Sequence, residues 1–509
     1  MIDLNDIGRG LKEKISKVKE SGIQRSTGRI VYSGDGIIKI TGLSGVQYNE
    51  LLDVRGGYQA LALNLEHDSV GAVLFSGEDK VRFGDYVYST GTTLEMKVGE
   101  ELLGRIVDPL GNALDGLGEI VTGKSRPVEY PAPAIMDRGK VNKPLQTGIL
   151  AIDSMIPIGR GQRELIIGDR QTGKTAIAVD TILNQKGENV ICIYVSIGQK
   201  ASSLAKTVNT LRSGGAMEYT CVVCSTADDA VPLQYIAPYS GCALAEYFMY
   251  QGKDVLIVYD DLSKHAVAYR AMSLLLKRPA GREAYPGDVF YLHSRLLERS
   301  AKLSEAKGGG SITALPIVET LAGDISAYIP TNVISITDGQ IYLESELFNS
   351  GVRPAVNVGL SVSRVGGSAQ RKAIRKISGQ LRINLAQYRE LAIFMQFGSD
   401  LDAETQKTLS RGAKLTDTLK QRQYLNYSVR EMIVLLIVSQ SEVIDGIPAK
   451  KVTEYNDGLL DYMRMNRQDL LDAIDPDGEI SEELRGKILA AAEDYLNYTV
   501  GDGEAHTDV

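Results

Sequence analysis

Residues 164–175 read Glu-Leu-Ile-Ile-Gly-Asp-Arg-Gln-Thr-Gly-Lys-Thr, a short apolar run that opens into a loop framed by two glycines. The pattern G-x-x-x-x-G-K-[ST] of a phosphate-binding loop is matched by Gly168, Gly173, Lys174 and Thr175. In such a loop backbone N–H groups wrap an anion, the lysine reaches the terminal phosphates and the threonine hydroxyl ligates Mg²⁺. Residues 175–187 then predict a helix that ends at a glycine and whose N-terminus points at the phosphates. An ordinary glycine turn is the alternative, and the length of the match disfavours it.

Composition narrows the class of protein. The chain has 509 residues, of which 43 % are hydrophobic and 24 % charged, as in a globular protein of roughly three domains. Its net charge of -8 provides no basic field, so we expect no nucleic-acid partner. The longest fully apolar stretches, such as 432–438, are too short to cross a bilayer, and the charged N-terminus is no secretory signal. We expect a soluble chain inside the cell that meets a membrane only through partners.

The four cysteines and four histidines lack the spacing of metal ligands. Cys221 and Cys224 form a C-x-x-C pair, but the apolar segment around them predicts a buried strand. In a strand the two thiols point to opposite faces, whereas a redox pair belongs at the start of a helix. The sequence therefore predicts buried, reduced cysteines.

The N-terminal part of the chain contains three segments with different sequence patterns. Residues 1–23 have apolar positions at helical spacing and predict an amphipathic helix, which either packs on its own domain or is offered to a partner. Residues 24–92 are short runs of Val, Ile, Leu and Tyr interrupted by glycine turns, a pattern typical of a small closed β-barrel. The Gly- and Pro-rich stretch 92–160 reads as a bridge into the nucleotide-binding part.

Strands and helices alternate after the phosphate loop. The predicted strands are 190–195, 220–224 and 254–259, and the predicted helices are 201–212 and 232–250. This alternation indicates a mostly parallel sheet with ligands at the carboxyl ends of its strands.

Two acidic residues follow one of these strands. One carboxylate of the pair Asp260 and Asp261 can hold the water shell of Mg²⁺ opposite Thr175, and Asp261 is expected to cap the helix 262–277. Further on, the segment 333–344 with Asp-Gly at its centre predicts a tight β-hairpin.

The last part of the chain, from about residue 368, is helical by pattern. Predicted helices cover 370–396, 403–420, 428–440, 457–467 and 481–498, which together make a helical bundle. The tail from Gly501 is polar and is expected to be disordered.

Four longer segments, taken together, closely resemble the α subunits of F-type rotary ATP synthases. They are 157–175, with the phosphate loop; Tyr-Asp-Asp-Leu-Ser-Lys at 259–264; 278–299, beginning Arg-Pro-Ala-Gly-Arg-Glu; and 354–366, ending Ser-Val-Ser-Arg-Val-Gly. The resemblance covers essentially the whole chain. It implies a multidomain α+β fold with an N-terminal β-barrel (24–92), a central RecA-like P-loop α/β nucleotide-binding domain (93–369) and a C-terminal α-helical bundle with a polar tail (370–509).

The resemblance also implies partners. In that family three α and three β subunits alternate around a γ rotor, and the ring makes ATP from ADP and phosphate with a transmembrane ion gradient. The helix 1–23 would dock the δ subunit of the peripheral stalk, and the loop 397–402 of the bundle would lie near γ. The chain would then be peripheral, at the cytoplasmic face of the cell membrane.

Site residues follow from the resemblance position by position. The phosphates of ATP or ADP would be held by the loop residues Gly168, Asp169, Arg170, Gln171, Thr172, Gly173, Lys174 and Thr175. Asp260 and Thr175 would support Mg²⁺. The adenine and ribose would be surrounded by Phe348, Arg353, Gln421 and Gln423. Without the resemblance, the two glutamines would read as exposed helix residues.

Gln199 stands where the β subunits of this family carry a glutamate. A neutral amide orients a water molecule but cannot accept its proton, and a positioned general base contributes about 10² to 10⁴ in rate. We therefore expect Gln199 to lie beside a Mg-nucleotide that is bound with little hydrolysis.

Arg364 stands at the position of the family's arginine finger, which would reach the γ-phosphate in the neighbouring β site. Such a finger contributes about 10³ to 10⁵ in rate. Ser361, in the same segment, is expected to shape the interface that positions the arginine. From the residues alone, an arginine in a Gly-rich segment is usually solvated or salt-bridged.

Three rival functions differ from this interpretation in identifiable features. A self-sufficient P-loop ATPase needs the glutamate that Gln199 replaces. A Rho-type nucleic-acid translocase needs a basic, aromatic-rich RNA-binding domain, whereas the predicted barrel has few lysines and arginines and only two phenylalanines. A purely structural ring component is opposed by the intact phosphate loop.

Overall fold

The structure of the protein is a computed structural model that describes residues 26–395 and 403–504. The predictions of an N-terminal helix at 1–23 and of a rotor-facing loop at 397–402 lie outside these ranges.

Six short strands near the N-terminus close on themselves. They are β1 (Thr27–Gly34), β2 (Ile37–Thr41), β3 (Glu50–Val54), β4 (Tyr58–Leu65), β5 (Val70–Leu74) and β6 (Tyr86–Thr93). The order around the barrel is β1-β2-β5-β4-β3-β6, with every pair antiparallel. Ile38, Ile40 and Leu52 fill the interior. The predicted barrel is confirmed, and its closure leaves no free sheet edge.

The Gly- and Pro-rich stretch contributes to the nucleotide domain itself. It contains β7 (Glu95–Val98), β8 (Ile106–Val107), β9 (Lys124–Pro127), β10 (Pro144–Leu145), the helix α1 (Leu150–Met155) and β11 (Ile158–Gly159). β7 pairs with β9 and β10 pairs with β11, while β8 joins the edge of the central sheet. The segment is therefore more than a bridge.

The central sheet has eight strands. Besides β8 they are β12 (Leu165–Gly168), β13 (Val190–Gln199), β14 (Thr220–Thr226), β15 (Asp254–Asp260), β16 (Ser311–Glu319), β17 (Gly339–Leu343) and β18 (Val362–Ser363). The order is β18-β17-β12-β16-β15-β13-β14-β8, and all pairs are parallel except β17 with β18. The parallel α/β domain is thus as predicted.

Helices cover both faces of this sheet. They are α2 (Lys174–Leu183), α3 (Ala201–Ser213), α4 (Val231–Met249), α5 (Leu262–Leu275), α6 (Val289–Leu297), α7 (Tyr328–Ile336) and α8 (Ser345–Asn349). Consecutive residues of β13 alternate between two apolar cores, with Tyr194 in one and Ile193 and Val195 in the other. Burial on both faces explains why these strands are continuously apolar.

The two cysteines of β14 lie as predicted. Cys224 belongs to the core on one face of the sheet and Cys221 to the core on the other, and both are free thiols. Burial raises the pKa of Cys224 to about 12, so the thiol stays protonated near neutral pH.

The predicted hairpin at 333–344 is wrong in its first half. Residues up to Ile336 form α7, which buries Ile329, Val333 and Ile336 at helical spacing. The Asp-Gly pair then joins a helix to a strand, because Asp338 exchanges hydrogen bonds with the backbone of Arg163 beside β12. The turn signal was therefore correct, and tertiary packing decided what precedes it.

The C-terminal part is the predicted helical bundle. Its helices are α9 (Lys372–Met395), α10 (Ala403–Thr418), α11 (Val429–Ser439), α12 (Val452–Asn466), α13 (Gln468–Ala473) and α14 (Glu482–Glu504). The apolar stretch 432–438 is the buried centre of α11. The backbone of α14 stays helical past Gly501, where we expected disorder, because the hydrogen-bond ladder of the helix continues. In the described ranges no helix is long and apolar enough to span a membrane.

Replacement of Ser428 should destabilise the bundle. Ser428 and Glu431 form a reciprocal capping box at the start of α11. Ser428→Ala leaves a helix N–H without its partner and should cost about 1 kcal/mol of unfolding free energy. Urea unfolding followed by circular dichroism measures this cost. The exposed Ser202→Ala on α3 is the control, and an equal loss in both variants would contradict the capping role.

Candidate nucleotide-binding site

The phosphate loop connects β12 to α2 at the carboxyl edge of the sheet. Gly173 precedes the helix with φ of 100°, a left-handed conformation that glycine adopts without strain. Gly168 is required for a different reason, because a Cβ there would lie 2.4 Å from the carbonyl oxygen of Leu343 at the end of β17. The loop is therefore wedged against the neighbouring strand.

Lys174 spans the mouth of the loop. Its ammonium donates hydrogen bonds to the carbonyl of Gly168, at 2.9 Å, and to that of Asp169. The residue is only 6 % exposed, and this burial lowers the pKa of its ammonium. A buried cation at the N-terminus of a helix is a strong attractor of phosphate.

Asp169 anchors the loop from behind. Its carboxylate accepts hydrogen bonds from Thr320 Oγ1 (2.6 Å), Gly323 N (2.9 Å) and Ser345 Oγ (2.8 Å). Burial raises the pKa of this carboxyl, but these three donors lower it by more, so it lies below its ordinary value. The side chain of Asp169 is thus turned toward the protein, and only its backbone belongs to the phosphate cradle.

Asp260 lies opposite the loop, at the end of β15. Its Oδ2 accepts a hydrogen bond from Thr175 Oγ1 at 2.8 Å. The same oxygen accepts a second one from the hydroxyl of Tyr194 at 2.7 Å. Gln199 Nε2 donates to the main-chain carbonyl of Asp260 at 3.2 Å. The four residues form one hydrogen-bonded group at the phosphate end of the site.

Tyr194 was missed by sequence reasoning. It lies inside the apolar strand β13 and is completely buried. A tyrosine in such a run reads as a core residue, and its hydroxyl finds Asp260 only because β13 and β15 are neighbours in the sheet.

Asp261 is the predicted helix cap. Its Oδ1 accepts a hydrogen bond from the backbone N–H of Lys264 at 2.7 Å, and its carboxylate pairs with the Lys264 ammonium at 2.8 Å. Burial, opposed by Lys264 and helped by the neighbouring Asp260, raises the pKa of Asp261 to about 6.

The donors at this edge suit a magnesium ion. Hydroxyl and carboxylate oxygens such as those of Thr175 and Asp260 are the ligands that this hard cation prefers. Among the residues that the structure describes, no three His, Cys, Asp or Glu side chains converge on one point. Such an ion would therefore take its remaining ligands from phosphates and water.

A second, mostly apolar cavity adjoins the phosphate end. The Arg353 guanidinium covers the Phe348 ring, 4.3 Å from the ring centroid, and Ile177 and Pro354 supply apolar walls. Phe348 and Gln423 line both this cavity and the phosphate end, which encloses about 480 Å³. The site is therefore one continuous groove.

The helical bundle closes one side of the groove through Gln421. The amide of Gln421 accepts a hydrogen bond from Leu150 N at 3.0 Å and donates to the carbonyls of Gly148 (2.7 Å) and Leu425 (2.6 Å). Its side chain is therefore used to hold the two domains together at the edge of the pocket.

Asp180 holds the same junction from α2, and it too was missed from the sequence. Its Oδ1 accepts a hydrogen bond from Tyr424 N at 2.8 Å, and its carbonyl accepts one from the Asn426 amide at 2.8 Å. Burial raises the pKa of Asp180 to about 7. An acidic residue on a helix is ordinarily interpreted as solvent-exposed, so no sequence pattern marked Asp180 as part of the junction.

Five of the predicted residues are not among those that line the groove: Gly168, Asp169, Arg170, Ser361 and Arg364. Arg170 is exposed and pairs with Glu319 at 3.0 Å. Arg364 is exposed just after β18, and its backbone N–H donates to the carbonyl of Asp338. Ser361 is buried, with its hydroxyl bonded to the backbone of Asn357 (2.6 Å) and Tyr342 (2.9 Å). Ser361 thus shapes the segment that leads to Arg364.

The fold and the groove define a phosphate-loop nucleotide-binding protein with a barrel on one side and a helical bundle on the other. Residues 148–363 match the model of the ATP synthase alpha/beta family, nucleotide-binding domain. Residues 23–91 match the β-barrel domain of that family, and residues 370–495 match the C terminal domain of its alpha/beta chains.

Whole-chain comparisons agree with the domain models. The chain is 60 % identical to the ATP synthase subunit alpha of Acetivibrio thermocellus over 95 % of its own length and 96 % of the relative's. It is 58 % identical to that of Clostridium kluyveri, over 97 % and 98 %. The chain therefore belongs to the ATP synthase alpha/beta family, among the alpha subunits of F-type ATP synthases. The chain has the role of an F-type ATP synthase alpha subunit, and the comparisons support neither a self-sufficient ATPase nor a Rho-type translocase.

Removing the hydroxyl of Tyr194 should weaken metal-dependent nucleotide binding. Tyr194→Phe deletes one of the two hydroxyl donors that hold the Asp260 carboxylate. A hydrogen bond to a charged group contributes about 1.5 to 3 kcal/mol, so the affinity for nucleotide should fall roughly 10- to 100-fold with Mg²⁺ present. In EDTA the loss should be small. Titration with a fluorescent ATP analogue measures both.

Tyr219→Phe provides a matched control, because the Tyr219 hydroxyl donates to the carbonyls of Ile182 and Leu183 at the far end of α2. A loss of affinity that is the same with Mg²⁺ and with EDTA would contradict the assignment of Tyr194 to the metal side of the site.

Proposed function

We propose that this chain is the non-catalytic nucleotide-binding subunit of the complex, which holds Mg-ATP or Mg-ADP with little turnover and lends Arg364 to a neighbouring β subunit. The observation that carries the proposal is the chemistry facing the phosphate end of the groove. Gln199, an amide, lies beside Asp260 where an attacking water would need a base.

The carboxylates that line the described phosphate end are all engaged. Asp260 accepts two hydroxyl hydrogen bonds, Asp261 is paired with Lys264, and Glu319 is paired with Arg170. A carboxylate whose oxygens are already occupied by donors is poorly placed to orient and deprotonate an attacking water, even where burial raises its pKa as it does for Asp261. The groove is therefore equipped for binding rather than for hydrolysis.

The binding mechanism follows from the same contacts. Backbone N–H groups of the loop and the Lys174 ammonium neutralise the phosphates, and the N-terminus of α2 adds its dipole. Phe348 and Arg353, stacked on each other, would form one wall of the base pocket, while Gln421 holds the bundle against the nucleotide domain beside it. Mg²⁺, held by Thr175 and through water by Asp260, would supply further neutralisation of phosphate charge.

Arg364 is suited to act on a different molecule. It lies outside the groove of its own chain, and its side chain is exposed. An always-charged, planar guanidinium stabilises charge that develops on a transferring phosphoryl group. In an alternating ring with β subunits, this residue would complete the neighbour's site.

The proposed partners follow the family. They are the β subunit in an alternating ring, the γ rotor, and the δ subunit of the peripheral stalk, which the helix 1–23 would meet. The proposed location is the cytoplasmic face of the cell membrane, where the chain is peripheral and reaches the membrane through the rest of the complex.

Loss of Arg364 should separate assembly from turnover. The chain alone should bind ATP without appreciable hydrolysis, and assembly with matching β and γ subunits should give fast hydrolysis. Arg364→Ala should leave the ring intact in size-exclusion chromatography and lower its turnover by about 10³ or more, because the developing phosphoryl charge loses its partner.

The control is Arg212→Ala, which removes an exposed arginine at the end of α3, away from the groove. Normal turnover by the Arg364→Ala ring would refute the finger assignment. Robust hydrolysis by the chain alone would refute its non-catalytic role.

A further inference from the structure

Arg364 directly follows a very short strand at the edge of the central sheet. The strand before it, β18, has only two residues and is antiparallel to β17, with Gly339 opposite Ser363. The backbone N–H of Arg364 donates a hydrogen bond to the carbonyl of Asp338 at 2.8 Å. A two-residue edge strand cannot by itself fix the direction of a long side chain, so other contacts must hold it.

The hydroxyl of Ser363 is the centre of those contacts. Ser363 Oγ donates to the carbonyl of Pro157 at 2.7 Å. It accepts one hydrogen bond from Gln162 Nε2 at 3.2 Å and another from Gly366 N at 3.2 Å. The residue immediately before Arg364 is thereby tied to the segment 157–162, which precedes β12.

Gln162 holds this hydroxyl with a fully buried amide. Its Oε1 accepts from Gly159 N at 2.8 Å, and its Nε2 donates to Glu164 Oε2 at 2.6 Å as well as to Ser363. The residue is 0 % exposed. A buried amide is stable only when its bonds are made, and here an acceptor for Nε2 and a donor for Oε1 fix its orientation.

Glu164 accepts a hydrogen bond from the Gln162 amide, and it is not among the residues that line the nucleotide groove. It is also 0 % exposed, and its Oε1 has no hydrogen-bond partner within the described ranges. A Cβ on Gly339 would lie 2.5 Å from Glu164 Oε2, so glycine lets β17 and β18 rest directly on this carboxyl. Burial and the nearby Asp338 raise the pKa of Glu164, against the opposing charge of Arg364.

We propose that Gln162 is a positioning residue for Arg364. Its amide donates hydrogen bonds to Glu164 and to the hydroxyl of Ser363, and these contacts set the direction in which the Arg364 side chain extends toward the neighbouring subunit. This inference rests on the proposed function of Arg364 as a finger. Gln162 does not line the nucleotide groove of its own chain, and it acts through Ser363.

The expected size of the effect follows from the geometry of catalysis. A misplacement of about 1 Å at a catalytic group can cost about 100-fold in rate. A finger that is present but poorly aimed should therefore retain part of the 10³ to 10⁵ that an arginine finger contributes.

The experiment is a double-mutant cycle in the chain assembled with matching β and γ subunits. Gln162→Met keeps the volume and removes the amide. It should lower kcat for ATP hydrolysis about 10- to 100-fold and change KM by less than about threefold, because the neighbour's nucleotide contacts remain. In the Arg364→Ala background the same change should have no further effect on the residual rate.

Gln340→Met is the matched control. Gln340 lies on β17, and its amide donates to the carbonyl of Leu360, so this variant removes a glutamine from the same edge of the sheet without touching Ser363. It should leave kcat unchanged. If Gln162→Met prevents assembly, Ser363→Ala removes the gripped hydroxyl with a smaller change, and the same cycle is run with it.

The outcomes distinguish the inference from the function on which it rests. Unchanged kcat in Gln162→Met, or the same fold-loss with and without Arg364, would overturn the positioning role, since an additive loss is what a merely structural residue gives. Unchanged turnover in Arg364→Ala alone would instead refute the proposed finger, whatever Gln162 does.

Discussion

The carboxylate of Asp169 holds the phosphate loop in shape, and the rest of the site depends on it. Its three donors come from the loop after β16, at Thr320 and Gly323, and from Ser345 at the start of α8, so a single ionised group joins the phosphate loop to two other segments. Because these hydrogen bonds fix the loop in one conformation, its backbone N–H groups are available for phosphate, and the Lys174 side chain can reach across the loop. Because the loop is already ordered by this anchor, binding of phosphate costs less conformational entropy.

The junction between the nucleotide domain and the bundle combines buried polar contacts with an apolar core that both domains share. Gln421 and Asp180 tie the bundle to the nucleotide domain at either side of the base pocket. Buried polar groups are costly unless they are satisfied, so these hydrogen bonds fix the geometry of the junction, while the shared apolar core stabilises it.

Sequence reasoning succeeded where the signal is local. The phosphate loop, the cap at Asp261 and the opposite orientation of Cys221 and Cys224 depend on residues a few positions apart. It failed at 333–337, where β-branched residues before Asp338 suggested a strand and packing of Ile329, Val333 and Ile336 made a helix. It also missed Tyr194 and Asp180, because a tyrosine in an apolar strand and an acid on a helix have ordinary readings.

The sequence by itself determined the kind of ligand and the order of the domains. A loop with the full G-x-x-x-x-G-K-[ST] pattern between a strand and a helix indicates phosphate binding from sequence alone, since backbone N–H groups and a helix dipole need no distant partner. Only the tertiary structure decided which side chains meet there. The hydroxyl of Tyr194 meets Asp260 because β13 and β15 are neighbours in the sheet, and Thr175 reaches the same carboxylate from the start of α2. Gln162 reaches Ser363 across 201 residues of chain. Such contacts depend on the register of non-adjacent strands, and no local pattern encodes that register.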